Sequence, residues 1–192
     1  ERNKPLIEHV GHLGFECFAG SEDDVLDRYC QVAKKVRADI VIRVTGDSPF
    51  VDPELADDFI KVFKNNNVDY VSNTLPPSYP DGLDIEVFSF NALNTACEKG
   101  VSSFQREHVT PYIKESKEFS KINVTCEEDL SGKRWTVDEQ EDLEVAQNVA
   151  AHFLPAWNFG WKSILELERS SPELFAANTK FSSESYADYY KR

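Results

Sequence analysis

The sequence predicts an α/β fold built on a largely parallel sheet, and three observations carry that prediction. Segments with strand periodicity alternate with segments of helical periodicity along most of the chain. An apolar run, DIVIRV at residues 39–44, leads into a tight turn that presents Asp47. A second acid, Asp138, closes a later strand candidate at residues 134–137. In open α/β sheets ligands bind in the crevice beyond the carboxyl ends of the strands, so acids delivered there are the first candidates for chemistry.

The elements follow in order. Residues 5–13 carry Leu6, Ile7, Val10 and Leu13 at helical spacing until Gly14 stops them, and residues 15–18 read as a short strand. Ser21 is the expected cap of the next helix, whose buried side is Val25, Leu26, Tyr29, Val32, Ala33 and Val36. After the strand at 39–44, Asp52 caps and Pro53 opens a third helix with Leu55, Phe59, Ile60 and Phe63 facing inward. A strand at 69–73 precedes a proline-rich segment, 74–83, which reads as an exposed loop. Residues 84–90 alternate with period two, setting Ile85 and Val87 on one face and Asp84, Glu86 and Phe88 on the other. Asn91 is the expected cap of a helix that ends at Gly100, and another helix is expected over 108–116. Two strands, 121–126 and 134–137, precede the most periodic helix, 139–153, and a last helix is expected over 162–168. The aromatic group Trp157, Phe159 and Trp161 is expected in the core, and a Ser/Tyr-rich tail follows.

Composition narrows the function. With 192 residues, 41% of them hydrophobic, the chain can bury a core as a single domain over 1–192, with 154–192 as a helical C-terminal extension. A net charge of −13 with scattered basic residues argues against nucleic acid as a partner. No apolar run is long enough to span a bilayer, and no leader is recognisable, so the expected location is cytoplasmic. Cys17, Cys30, Cys97 and Cys126 are widely spaced and are expected as reduced thiols rather than zinc ligands. The chain opens at Glu1, contains no methionine and enters a helix almost at once, so it is expected to begin partway through its fold.

If the strands leading to Asp47 and Asp138 are neighbours, the two carboxylates converge, and a shared hard cation relieves their repulsion. Magnesium is the natural ion, since it needs few protein carboxylates and completes its shell with water and phosphate oxygens. The same residues admit plainer roles: Asp after Gly is ordinary turn chemistry, and Asp138 with Glu139 can cap the last long helix.

Five stretches occur together and in order: SEDDVLDRY (21–29), RVTGDSPFVDPEL (43–55), YPDGLDIEVFSF (79–90), REHVTPYI (106–113) and RWTVDEQEDL (134–143). This set resembles the spore coat polysaccharide biosynthesis cytidylyltransferases, relatives of the enzymes that activate neuraminate and Kdo as CMP-sugars. The resemblance covers roughly residues 5–153. It implies a Rossmann-like fold of the glycosyltransferase-A type, transfer of CMP from CTP to an acidic sugar with release of pyrophosphate, Mg2+ as cofactor and a homodimer by family habit. It implies Asp47 and Asp138 as the two metal-holding acids, and Arg43, Thr45 and Arg28 as lining of the nucleotide side. On the sugar side it implies Asp81, Asp84 and Glu86 as acceptors, with Arg106 and His108 as donors to an acidic group. Arg28 has an alternative as an ion pair with Asp24 or Asp27, and His108 as a helix-start histidine beside Glu107. His9, His12 and His152 are expected in solvent.

Members of that family open with a strand and a Gly/Ser-rich loop that grips the CTP phosphates, and no stretch here matches it. The resemblance therefore leaves two further readings beside the active enzyme: a truncated, non-catalytic homologue serving as a binding or assembly module, and a glycosyltransferase using a nucleotide-sugar. Against the last, the chain has no D-x-D to hold a sugar-diphosphate metal.

Overall fold

The computed structural model describes residues 3–181. In chain order its elements are helices α1 (Lys4–His12) and α2 (Val25–Val36), strand β1 (Ile40–Arg43), α3 (Pro53–Asn66), β2 (Tyr70–Ser72), β3 (Glu86–Ser89), α4 (Phe90–Lys99), α5 (Ser103–His108), α6 (Pro111–Glu115), β4 (Lys121–Asn123), α7 (Gln140–Phe153) and α8 (Trp161–Ser170). A 3-10 helix, Pro172–Asn178, follows. The Ser/Tyr-rich tail, residues 182–192, lies outside the described residues. Among the described residues no helix is long and apolar enough to cross a membrane.

The chain divides into two compact units, Glu1–Val41 with Ser89–Phe119, and Ile42–Phe88 with Ser120–Arg192. The first is helical. Leu26, Cys30 and Ala33 form the buried stripe of α2, which packs on α4 and α5. The cap of α2 is Asp24, not Ser21: its carboxylate accepts the Asp27 N–H at 2.9 Å, while the Ser21 hydroxyl accepts the Asp24 N–H at 3.2 Å. Likewise Ser89, not Asn91, caps α4, accepting the Ala92 N–H at 3.0 Å. A Ser102–Gln105 capping box starts α5 well before His108, so that histidine ends a helix rather than opening one. The chain turns at Val109, with φ 70°, before Pro111 starts α6. Residues 15–18 form no strand, and Phe15 and Phe18 are exposed. Cys30 and Cys97 are joined in a disulfide between α2 and α4, which corrects the expectation of four reduced thiols; Cys17 and Cys126 are free.

The second unit holds most of the sheet, in strand order β1-β3-β2-β4. β2 pairs with β4 in parallel but with β3 antiparallel, so the sheet is mixed rather than mostly parallel. The cause lies in the connections. Between β2 and β4 the chain passes through helices, as a parallel crossover requires, whereas the proline-rich segment contains no helix and simply returns the chain alongside itself. That segment is not the exposed loop its composition suggests, since Ser78, Tyr79, Pro80, Gly82 and Leu83 are buried. Asn73 clamps one end, donating to the Leu83 carbonyl at 2.8 Å and accepting the Ile85 N–H at 3.0 Å. Asn123 holds the other, accepting the Leu75 N–H at 2.8 Å and donating to the Pro76 carbonyl at 2.9 Å.

The two central strands are buried on both faces, with Tyr70, Val71, Val87 and Phe88 fully buried. Residues 134–137 run extended beside the proline-rich segment through a single bridge between Asp81 and Arg134, not as a full strand. Of the aromatic group, Trp161 meets Tyr79 edge-on and Phe159 stacks on Phe153, but Trp157 is 73% exposed, outside the core expected for it. His152 is exposed, as expected.

Candidate active site

The acids expected to converge are tied together through the backbone. Past β1 the chain makes its turn at Gly46–Asp47, braced by Thr45 and Ser48, whose hydroxyls lie 3.0 Å apart. The Ser48 hydroxyl donates to the Asp47 carboxylate at 3.3 Å. The Asp47 carbonyl accepts the Val137 N–H at 2.8 Å and the Thr136 hydroxyl at 3.3 Å. Asp47 is thereby fixed against the residue that precedes Asp138, and both side chains remain accessible: Asp47 is an exposed residue, and the Asp138 side chain is 50% exposed.

A third acid joins them. The Asp81 N–H donates to the Lys133 carbonyl at 2.9 Å, and the Asp81 carbonyl accepts the Trp135 N–H at 2.7 Å. Gly82, at φ 103°, lies so close to this strand that a β-carbon would sit 2.7 Å from the Thr136 nitrogen, so only glycine fits. Among these acids stands Arg134, whose guanidinium donates to Asp138 at 3.0 Å and to Asp142 at 2.9 and 2.7 Å, and lies 3.9 Å from Asp81. The Phe181 ring caps that guanidinium at 5.6 Å.

The electrostatics separate the carboxylates. Burial pushes the Asp81 carboxyl up to about 6; Arg134 opposes this, while the charges of Asp138, Asp47 and Asp142 add to it. Burial also works to raise Asp142, but hydrogen bonds from Arg134, Asn178 and the N–H groups of Glu139 and Asp138 outweigh it and hold that carboxyl well below the ordinary range. For Asp81 the folded value exceeds the ordinary 3.8, so the stability it contributes is present below about pH 4 and is lost as pH rises through about 6. Asp81→Asn is therefore expected to melt at a higher temperature than the parent protein at neutral pH in metal-free buffer, with the two curves converging toward about pH 4. Thermal unfolding across that range tests it, and a difference independent of pH would rule the explanation out.

Among the described residues no group of three or more His, Cys, Asp or Glu side chains is arranged to hold a metal ion. Two carboxylates are nevertheless what a magnesium ion takes from a protein when phosphate oxygens and water complete its shell, and Asp47 with Asp138 fits that donor set.

The other expected residues are placed as follows. Arg43, at the end of β1, reaches the Glu86 carboxylate, which the Tyr70 hydroxyl also meets. Glu86 is 2% exposed, so it is a buried anchor of the sheet instead of a surface acceptor for a sugar hydroxyl. Thr45 braces the Asp47 turn, and Asp84 is half-buried just before β3. Arg28, Arg106 and His108 belong to the first unit. There Arg106 grips Asp24 at 2.9 and 2.5 Å and donates to the Cys97 carbonyl at 3.1 Å. Asp24 is thus the partner of Arg106 and not of Arg28, whose buried Nε has no hydrogen-bond partner among the described residues. His108 lies against the Phe104 ring at 4.5 Å and 3.9 Å from the Glu107 carboxylate.

Arg134 and Asp142 went unnoticed as single residues, although the spacing Arg134, Asp138, Asp142 at four-residue steps was a usable signal. An acid in the first turn of α7 reads as a dipole or capping residue, and only burial to 1% exposure reveals its second partner.

The chain is 32% identical over 191 residues to an uncharacterized protein of Methanocaldococcus jannaschii, covering 98% of this chain and 77% of that protein. It is 34% identical over 148 residues to the spore coat polysaccharide biosynthesis protein SpsF of Bacillus subtilis, covering 75% of this chain and 60% of SpsF. Among solved structures, a cytidylyltransferase from Leptospira borgpetersenii superposes with a TM-score of 0.86 at 27% identity, over 90% of this chain and 74% of that one. The family model for cytidylyltransferases matches residues 1–179, and the chain belongs to the cytidylyltransferase family.

Proposed function

We propose that this protein transfers CMP from CTP to a hydroxyl of an acidic sugar, releasing pyrophosphate, in the synthesis of a surface polysaccharide. The observation that carries the reading is the 2.8 Å hydrogen bond from the Val137 N–H to the Asp47 carbonyl, which ties the Asp47 turn to the residue before Asp138 in a chain of this family. Asp47 and Asp138 are the residues that would hold magnesium. A magnesium ion bound there supplies neutralisation of charge on the α-phosphate and the departing pyrophosphate. Asp81 and Asp84 serve as acceptors that orient the sugar hydroxyls, and the hydrogen bonds from Lys133 and to Trp135 fix the backbone from which Asp81 acts. Similarity to SpsF supports the polysaccharide context. An acidic sugar is the substrate class that the resemblance implies, and Arg106, one of the two donors expected for it, already holds Asp24.

Ligand-dependent stability tests the proposal on the full-length protein. CTP with Mg2+ at a hundred times its Kd should add about 2.7 kcal/mol to the folded state, read as a rise in melting temperature. ATP, GTP and UTP should give much smaller shifts. An equal response to all four removes cytidylyl specificity. Stabilisation by a nucleotide-sugar with none by CTP favours the glycosyltransferase, and no response to any nucleotide favours the non-catalytic module.

A further inference from the structure

We propose that Asp142 is a positioning residue for Asp138, acting on the main chain directly and on the side chain through Arg134. The inference rests on the reading of Asp138 as a metal-holding acid. A half-exposed aspartate at the start of a helix ordinarily samples several rotamers, which is a poor platform for a cation. Here one buried carboxylate removes that freedom at both ends of the residue. Asp142 Oδ2 accepts the Asp138 N–H at 3.1 Å and the Glu139 N–H at 2.9 Å, which fixes the backbone. The same oxygen accepts Arg134 Nη2 at 2.7 Å, and that nitrogen also donates to Asp138 Oδ2 at 3.0 Å, which fixes the side chain. The second oxygen, Oδ1, accepts Arg134 Nε at 2.9 Å and Asn178 Nδ2 at 2.9 Å.

The charge pattern assigns the parts unequally. Arg134 and Asp142 are 13% and 0% exposed at their side chains, whereas Asp138 is 50% exposed. The bidentate contact of Arg134 is with the buried acid, and only one N–H reaches Asp138. Asp138 can therefore present a carboxylate oxygen to a cation from its fixed position without breaking the buried pair, while Asp142 keeps the guanidinium in place. Groups that orient metal-holding carboxylates in this way typically account for roughly 10- to 100-fold in metal affinity or activity.

The test uses Mn2+ as a spectroscopic stand-in for magnesium, since both take oxygen ligands in octahedral geometry. Mn2+ binding to the full-length protein with CTP is followed by electron paramagnetic resonance, beside pyrophosphate release and melting temperature. Asp142→Asn keeps the size but loses the charge, and should weaken Mn2+ binding by roughly tenfold or more. Asp142→Glu keeps the buried charge opposite Arg134, and so the fold, but displaces the oxygens; its Mn2+ affinity should fall as well. Asn178→Ala removes one contact on Oδ1 and one on the Arg134 carbonyl but leaves both contacts to Asp138, so it should melt earlier with its Mn2+ affinity retained. Wild-type affinity in Asp142→Glu, or a loss in Asn178→Ala as large as in the Asp142 variants, overturns the positioning role while leaving the proposed activity intact. Absence of Mn2+ binding by the parent protein with CTP overturns both.

Discussion

Asp47→Asn and Asp138→Asn are each expected to reduce pyrophosphate release by roughly a thousandfold or more, with melting temperatures close to that of the parent protein. A shared cation contributes several kcal/mol to a phosphoryl-transfer transition state, and about 4 kcal/mol corresponds to three decades in rate. The amide keeps the shape of each side chain but offers a far weaker donor to magnesium. The fold is spared because neither carboxylate is needed for it. The contacts that hold the Asp47 turn use its carbonyl, and the Asp138 N–H is satisfied by Asp142. A variant that retains activity is not missing a metal-holding acid, and one that loses activity only by unfolding has a structural acid instead. The pair should also be strongly non-additive, since two groups that hold one ion fail together.

Asp52→Ala is expected to cost the fold about 3 kcal/mol. Asp52 is buried, and its two oxygens serve two helices. Oδ1 accepts the Glu54 and Leu55 N–H groups at 2.8 and 3.3 Å at the start of α3, and Oδ2 accepts the Trp161 N–H at 2.9 Å at the start of α8. Loss of an ordinary cap costs about 1 kcal/mol. Here one truncation removes two caps and leaves N–H groups without partners in a part-buried region, and each such group costs a further 1 kcal/mol or so. For a chain of this size the melting temperature should fall by roughly 6 to 12 °C. Asp52→Asn, which keeps one oxygen, should lose about half as much. Urea unfolding measures both, and a loss confined to about 1 kcal/mol would mean that Asp52 caps one helix only.

The helix α3 shows what was legible in the sequence: a capping acid, a proline at the first helical position and an apolar stripe all lie within one short window, so local chemistry suffices. The placement of Asp47 and Asp138 just past extended runs was legible for a similar reason. What escaped depends on partners far away in the chain. Arg106 looks like a ligand-binding base until Asp24, 82 residues earlier, is found against it. The mixed sheet could not be read because strand periodicity carries no direction, and only the absence of a helix between β2 and β3 hinted at it. The proline-rich segment looked exposed because its composition is that of a loop, while its burial is enforced by Asn73 and Asn123, two residues that lie outside it.

Glu86 carries a consequence for how the sheet assembles. It lies on the strand between β1 and β2 and is met from one side by Arg43 and from the other by Tyr70. Hydrophobic strands buried on both faces have little to distinguish one alignment from the next, because every offset still buries apolar side chains. A single carboxylate among them changes that. Sliding β3 by one residue turns Glu86 to the opposite face, away from both its partners, and a lone buried charge costs several kcal/mol. The triad thus acts as a key cut for one register, rejecting the offsets that greasy side chains alone would accept.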